Sequence, residues 1–278
     1  MSQSKLALVT GGSAGIGLEI ARGLVGEGCR TILAVRNRER GDAAARDIAS
    51  TTRREAPEVR VVDFASPASI REFARCFNEE HSSLDILINN AGIWATERRE
   101  TTDGLELVWA TNQLGYFLTT DLLKRALLQA PSARIVNVAS ELARDLNLGD
   151  VEFKRRPYTG ISAYAQSKQA NRMWTRAVAR RFAGTRVTAN SMHPGAVATG
   201  LFEKGGGFAA KAAGAVVSVV GRTPKQGADT AVWLATAPEL DGRTGGFYAD
   251  RRERACRFAN EAEEEKLFDL CAAMTAGS

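Results

Sequence analysis

Short, almost wholly apolar runs recur along the chain and alternate with longer stretches in which apolar residues return every three or four positions. The runs cover residues 6–10, 31–35, 59–62, 86–89, 134–138 and 187–191, and they are rich in β-branched residues, which reads as six strands. A strand that alternates polar and apolar has one wet face, whereas a continuously apolar one is covered on both. The stretches between predict helices starting near Gly15, Glu39, Pro67, Thr101 and Ile161, a later one over 224–237 and a polar C-terminal one over 260–274. Strand and helix alternating in this way make βαβ units, so the expected fold is α/β, a doubly wound parallel sheet with helices on both faces. No repeat or linker interrupts the pattern, and a single domain over residues 1–278 is expected. The weakly polar run 208–220 contains Lys211 and is shorter than the roughly 20 apolar residues that cross a bilayer, so it reads as a loop or lid helix.

Composition narrows the partners. With 44% hydrophobic and 25% charged residues the chain is neither disordered nor of low complexity. Its 37 basic residues exceed the 32 acidic ones by five, but the arginines never form a long run, so nucleic acid is not an expected partner. The densest group, Arg251, Arg252, Arg254 and Arg257, reads as a solvated loop face. Cys29, Cys76, Cys256 and Cys271 have no metal spacing, and His81 and His193 are the two histidines, too few for a zinc or di-iron centre. No metal is expected. Without a secretory signal or an integral membrane segment, the expected location is a reducing cytoplasm.

The chemistry begins where the first strand ends. Thr10 is followed by Gly11-Gly-Ser13-Ala-Gly15-Ile16-Gly17 and then at once by a helical pattern. Such a turn lets backbone N–H groups and the positive end of a helix approach a pyrophosphate. No Lys follows at the position a P-loop needs. About twenty residues on, where a carboxylate would bind the ribose 2′-OH of NAD, the second strand ends in Arg36, with Arg38 and Arg40 nearby. A guanidinium there suits a 2′-phosphate, so NADP(H) is expected to be preferred over NAD(H). Tyr164 and Lys168 lie four apart and share a helix face, and a nearby ammonium would lower the phenol's pKa from its usual value of about 10.

The ordered set of the glycine turn, Asn89-Asn90-Ala91-Gly92, Ser140 and Tyr164-x-x-x-Lys168 resembles the short-chain dehydrogenase/reductase family over nearly the whole chain. The stretches 34–36, 111–117, 150–153, 164–171 and 193–199 are similar to its retinol-dehydrogenase-like branch. The resemblance implies a Rossmann-type fold and a catalytic set of Asn112, Ser140, Tyr164 and Lys168. In that set Tyr164 is the general acid/base, Ser140 steadies the substrate oxygen, Lys168 holds the nicotinamide ribose and tunes the tyrosine, and Asn112 fixes a water linking Lys168 to solvent. It further implies that Gly11, Ser13, Gly15, Ile16 and Gly17 hold the pyrophosphate, that Asp63 and Phe64 meet the adenine, and that Asn90, Ala91 and Gly92 line the adenosine ribose. Pro194, Gly195, Val197 and Thr199 would meet the nicotinamide, with His193 structural.

Substrate selection is expected from the loop at about 200–223, rich in Gly, Ala and Val, with Trp94, Leu142, Ala143 and Phe153 as candidates for the opposite wall. The expected substrate is a small apolar alcohol or its ketone or aldehyde. Two alternatives stay open, a cofactor-sensing protein without turnover and an NADPH-dependent C=C reductase. Many members of the family form a homodimer or homotetramer through the helices after the fourth and fifth strands. The face carrying Arg172, Arg176 and Arg180 reads as poorly suited to a tight apolar interface.

Overall fold

All six expected strands form in the computed structural model, which describes residues 4–197 and 221–276. They are β1 Leu6–Thr10, β2 Arg30–Val35, β3 Glu58–Val61, β4 Ile86–Asn89, β5 Ala133–Val138 and β6 Val187–Met192. Two short strands that the apolar pattern did not mark follow, β7 Phe247–Ala249 and β8 Arg252–Arg254. One sheet results, in the order β3-β2-β1-β4-β5-β6-β7-β8. It is parallel as far as β7, and the arginine-rich segment read as a loop adds β8 antiparallel to β7.

Side-chain alternation along each strand feeds two apolar layers. Leu6, Leu8, Ile32, Leu87 and Ile135 point to one face, under Phe73, Trp109, Phe117 and Trp174. Ala7, Val9, Leu33, Ile86, Ile88 and Val136 point to the other, under Ile20, Leu24, Ile48 and Leu234. The helices that supply these layers are α1 Gly15–Gly26, α2 Arg38–Thr52, α3 Pro67–Glu80, α4 Leu107–Trp109, α5 Gly115–Leu122, α6 Lys124–Gln129, α7 Gly160–Arg181, α8 Pro224–Thr236 and α9 Glu261–Thr275. Caps set their starts: Asn37, Ser66, Thr159 and Asn260 each accept an N–H of the first turn, and Thr223 with Gln226 forms a capping box on α8.

No helix starts at Thr101. Its hydroxyl instead accepts the N–H groups of Asp103 and Leu105, folding the segment into a turn. The helix begins at Leu107, where the buried Glu106 carboxylate caps the N–H groups of Val108 at 2.9 Å and Trp109 at 2.7 Å. It passes at once into a π turn, Ala110–Leu114, before resuming as α5. Thr199 and most of the expected substrate loop, together with the 208–220 run, lie outside the described residues.

Candidate active site

Strand order reverses direction between β1 and β4, so the carboxyl ends of these two strands open a crevice at the topological switch point. Thr10, which opens the glycine turn, ties the two ends together. Its hydroxyl donates to the Ile88 carbonyl and accepts the N–H groups of Asn90 at 2.8 Å and Ala91 at 2.9 Å. The Asn90 side chain donates to the Thr10 carbonyl at 2.9 Å, so it braces the glycine turn and leaves only its backbone to line a ribose. A Cβ on Gly17 would stand 2.4 Å from the Gly11 carbonyl and from the Asn90 amide, so the turn closes only with glycine there. Ser13 and Ile16 are half-buried beside it, and α1, unlike α2 or α3, has no side-chain cap on its first N–H groups. Those donors fit a pyrophosphate.

At the end of β2 the three arginines separate by role. Arg38 donates to the Val59 carbonyl at 2.8 Å and stands 3.8 Å from Asp42. Arg36 and Arg40 are exposed and have no side-chain partner among the described residues. The Asp63 carboxylate accepts the Ala65 N–H at 3.0 Å through one oxygen, while the cap of α3 is Ser66. Phe64 packs its ring into the core, so any contact to a cofactor falls to its backbone.

Ser140, Tyr164 and Lys168 converge over the end of β5. The Ser140 hydroxyl accepts the Leu142 N–H at 3.2 Å and lies close enough to the Tyr164 phenol to lower its proton affinity, and Lys168 Nζ donates to the Val138 carbonyl at 2.8 Å and lies 5.7 Å from the Tyr164 ring centre. Burial dominates the proton affinities of the pair. It pushes the Tyr164 phenol up to about 12, against the smaller lowering effect of Ser140, and pushes the Lys168 ammonium down to about 7. Among the protein's own groups the tyrosine is therefore raised by burial and lowered by Ser140, with no lowering contribution from the lysine. Asn112 joins the cluster from the π turn. Its side chain accepts the Ile93 N–H at 2.8 Å and donates to Ser167 Oγ at 3.1 Å, clamping the segment after β4 against α7.

The family profile for short chain dehydrogenase matches residues 5–206. The chain belongs to the short-chain dehydrogenase family. Human retinol dehydrogenase 13 is 36% identical over 269 residues, covering 95% of this chain and 81% of that protein. A crystal structure of an uncharacterised protein from Mycobacterium paratuberculosis is 30% identical, covers 98% of this chain and 93% of its own, and superposes with a TM-score of 0.76. A short chain dehydrogenase from Burkholderia cenocepacia, solved in complex with NADP, is 28% identical, with coverage of 88% and 95% and a TM-score of 0.69.

In this short-chain dehydrogenase the turn after β6 is braced by residues that sequence spacing did not connect. Gly195 takes a left-handed φ of 81° and its N–H bonds to His193 Nδ1 at 3.1 Å. The other imidazole nitrogen stands 3.3 Å from a Glu141 carboxylate oxygen, which also receives the Arg172 guanidinium at 3.3 Å. Arg172 is buried, lies 3.7 Å over the Phe247 ring and donates to the Ser140 carbonyl. The serine segment and the Pro194-Gly195 turn are thus held as one unit, with both nitrogens of His193 facing groups of that brace. Val197, buried, pairs with Arg222 in a β-bridge. Of the expected wall, Trp94 packs on Tyr164 with ring centres 5.3 Å apart and Leu142 is 41% exposed. Ala143 is fully buried and Phe153 belongs to a separate small core with Ala95, Val108 and Ala163, so neither lines the site.

Proposed function

We propose that this short-chain dehydrogenase is an NADP(H)-dependent oxidoreductase that interconverts an alcohol and its ketone or aldehyde on an apolar small molecule of the retinoid kind. The observation that carries the reading is that Ser140, Tyr164 and Lys168 meet at the end of β5, with Ser140 close enough to lower the phenol's proton affinity and Lys168 Nζ 5.7 Å from its ring centre. NADP(H), when bound, supplies or accepts the hydride. The glycine turn, Asp63, the backbone of Asn90, Ala91 and Gly92, and Pro194, Gly195 and Val197 would hold it, with Arg36, supported by Arg40, on the 2′-phosphate. Ser140 holds the substrate oxygen by a hydrogen bond that strengthens as charge grows there, and Tyr164 moves the proton at that oxygen. Trp94 and Leu142 offer the substrate an apolar surface beside the tyrosine. Retinol dehydrogenase 13 and a relative solved with NADP support the substrate class and the cofactor. Among the described residues no helix is long and apolar enough to cross a membrane. The four cysteines are unpaired, which supports a reducing cytoplasm as the working compartment.

The test is a panel of hydrophobic alcohols and ketones, retinoids included, followed at the nicotinamide absorbance with each cofactor. NADP(H) should outperform NAD(H). Arg36→Ala should weaken NADP(H) by about tenfold to a hundredfold, what a hydrogen bond between charged groups is worth, and leave NAD(H) unchanged. Equal loss for both cofactors would overturn the assignment of Arg36.

A further inference from the structure

Asn171 lies one turn beyond Lys168 on α7 and is fully buried. Its carboxamide touches three parts of the site. Oδ1 accepts from Lys168 Nζ at 3.2 Å, while Nδ2 donates to the Asn112 main-chain carbonyl at 2.8 Å and to Gln113 Oε1 at 2.9 Å. The orientation follows from the partners. Gln113 turns its amide nitrogen to Cys271 Sγ at 3.6 Å, so its oxygen faces Asn171, and two acceptors on that side admit only the NH₂ end. The oxygen of Asn171 is left for the lysine. The π turn contributes, because the Gly115 N–H returns to the Ala110 carbonyl and the ordinary helical register is broken where Asn112 sits.

We propose that Asn171 is a positioning residue of the proton path, spanning Lys168 and the Asn112 carbonyl directly with its carboxamide and thereby setting how tightly Lys168 holds its proton. The inference rests on the reading of Tyr164 as acid/base. On carbonyl reduction the Tyr164 O–H breaks and its proton goes to the substrate oxygen as hydride arrives from NADPH at the carbon. The phenolate takes a proton from the Lys168 ammonium, and the neutral amine recovers one from water. Alcohol oxidation runs the same transfers backwards. A group that accepts a hydrogen bond from the ammonium and not from solvent favours the charged, proton-loaded form.

The surroundings of Lys168 make that one acceptor count. Tyr164 faces it from α7 and Tyr116 from α5, the latter with its ring centre 5.3 Å from Nζ, and β5 presents the Val138 carbonyl. Tyr116 is buried and held well above the ordinary phenol range, so it carries no charge. Burial alone brings Lys168 to about 7, and among the described residues no carboxylate offsets it. Among the described residues, the acceptors in contact with the ammonium are thus the Val138 carbonyl and Asn171.

Two variants of opposite sign test the proposal. Asn171→Ala removes the acceptor, so Lys168 should titrate lower and the alkaline limb of kcat for reduction should move down by about one to two pH units. Asn171→Asp places a carboxylate there and should move both up by a similar amount. The titration is read directly, without any substrate, from ¹³C-lysine-labelled protein with Lys168 assigned by Lys168→Arg, and KM for NADPH should stay within about threefold. Should Asn171→Asp fail to fold, Asn171→Ser, a shorter acceptor, is expected between wild type and Asn171→Ala. An unchanged Lys168 titration in the variants that fold overturns the proposal, as does a fall in kcat by the same factor at every pH, the mark of a merely structural residue. Because the titration needs no turnover, loss of the acid/base reading through an active Tyr164→Phe is seen separately.

Discussion

Tyr164 and Lys168 both sit where water does not, and each is driven toward its neutral form: the phenol up to about 12 and the ammonium down to about 7. Near neutral pH the tyrosine therefore holds its proton, the form a carbonyl reduction consumes. Tyr164→Phe keeps the ring against Trp94 and removes that proton. Turnover on a carbonyl substrate should fall by at least the ~10²- to 10⁴-fold that general acid catalysis supplies, with cofactor binding, followed by fluorescence, retained. Ser140→Ala should lower kcat in the same assay, and near-normal rates in Tyr164→Phe would refute the assignment. The identity of this pair was legible in the sequence, because spacing on a helix and order along the chain are linear properties. The direction of the tyrosine's shift was not, since it depends on burial summed over elements far apart in sequence. The side-chain partners of Asn90 and Asn112 were not legible for a related reason, as each is engaged with backbone groups that only the folded switch point brings near.

At the level of elements, the strands were legible because a continuous apolar run has few other uses in a protein of this composition. Strands β7 and β8 were not, having three residues each and, in β8, only charged ones. The start of α4 was obscured because Thr101 offers a hydroxyl that makes a turn as readily as a cap, whereas the residue that does cap the helix, Glu106, is a charged side chain that is fully buried. The polar C-terminal helix was anticipated, but not what it does. Glu264 of α9 is fully buried and receives Arg176 at 2.7 Å and also Arg180, so the half-buried arginine face of α7 is tied to α9 by ion pairs. Charge spacing on one helix cannot reveal a partner 84 or 88 positions away. Replacing both arginines by alanine leaves the carboxylate buried without its counterions, which costs about 3–5 kcal/mol where a buried pair is broken in this way. Arg176→Ala/Arg180→Ala should lower the urea midpoint accordingly, while the single variants, each leaving one guanidinium in place, should lose much less. A double variant as stable as wild type would show that α9 is held by its apolar contacts alone.

For the whole molecule, the consequence of α9 is that the surface on which relatives are expected to associate is already covered from within. Leu267 and Cys271 are fully buried against α5 and α7, Phe268 meets Phe117 edge-on at 5.0 Å, and the Arg181 guanidinium lies 3.4 Å over the Phe268 ring. The sheet edges are guarded as well. β8 exposes Arg252, Glu253 and Arg254 at one end, and at the other Arg60 of β3 pairs with Glu58 and Glu80, charges that discourage a second strand from adding. A homodimer or homotetramer, which the sequence left open, would find no uncovered apolar face on this side, and light scattering after gel filtration should give a monomer of 29.9 kDa. Leu267→Asp places an unpaired carboxylate in the seam between α9 and the body, where burial of an uncompensated charge exceeds what the helix gains by docking. Detached, α9 would uncover Phe117, Trp174 and Val178, a contiguous apolar patch of the kind that drives association. The variant should therefore move to higher mass as concentration rises while wild type stays monomeric. A wild type that elutes as a dimer, or a Leu267→Asp variant that remains monomeric and fully folded, would show that α9 is not what keeps this face closed.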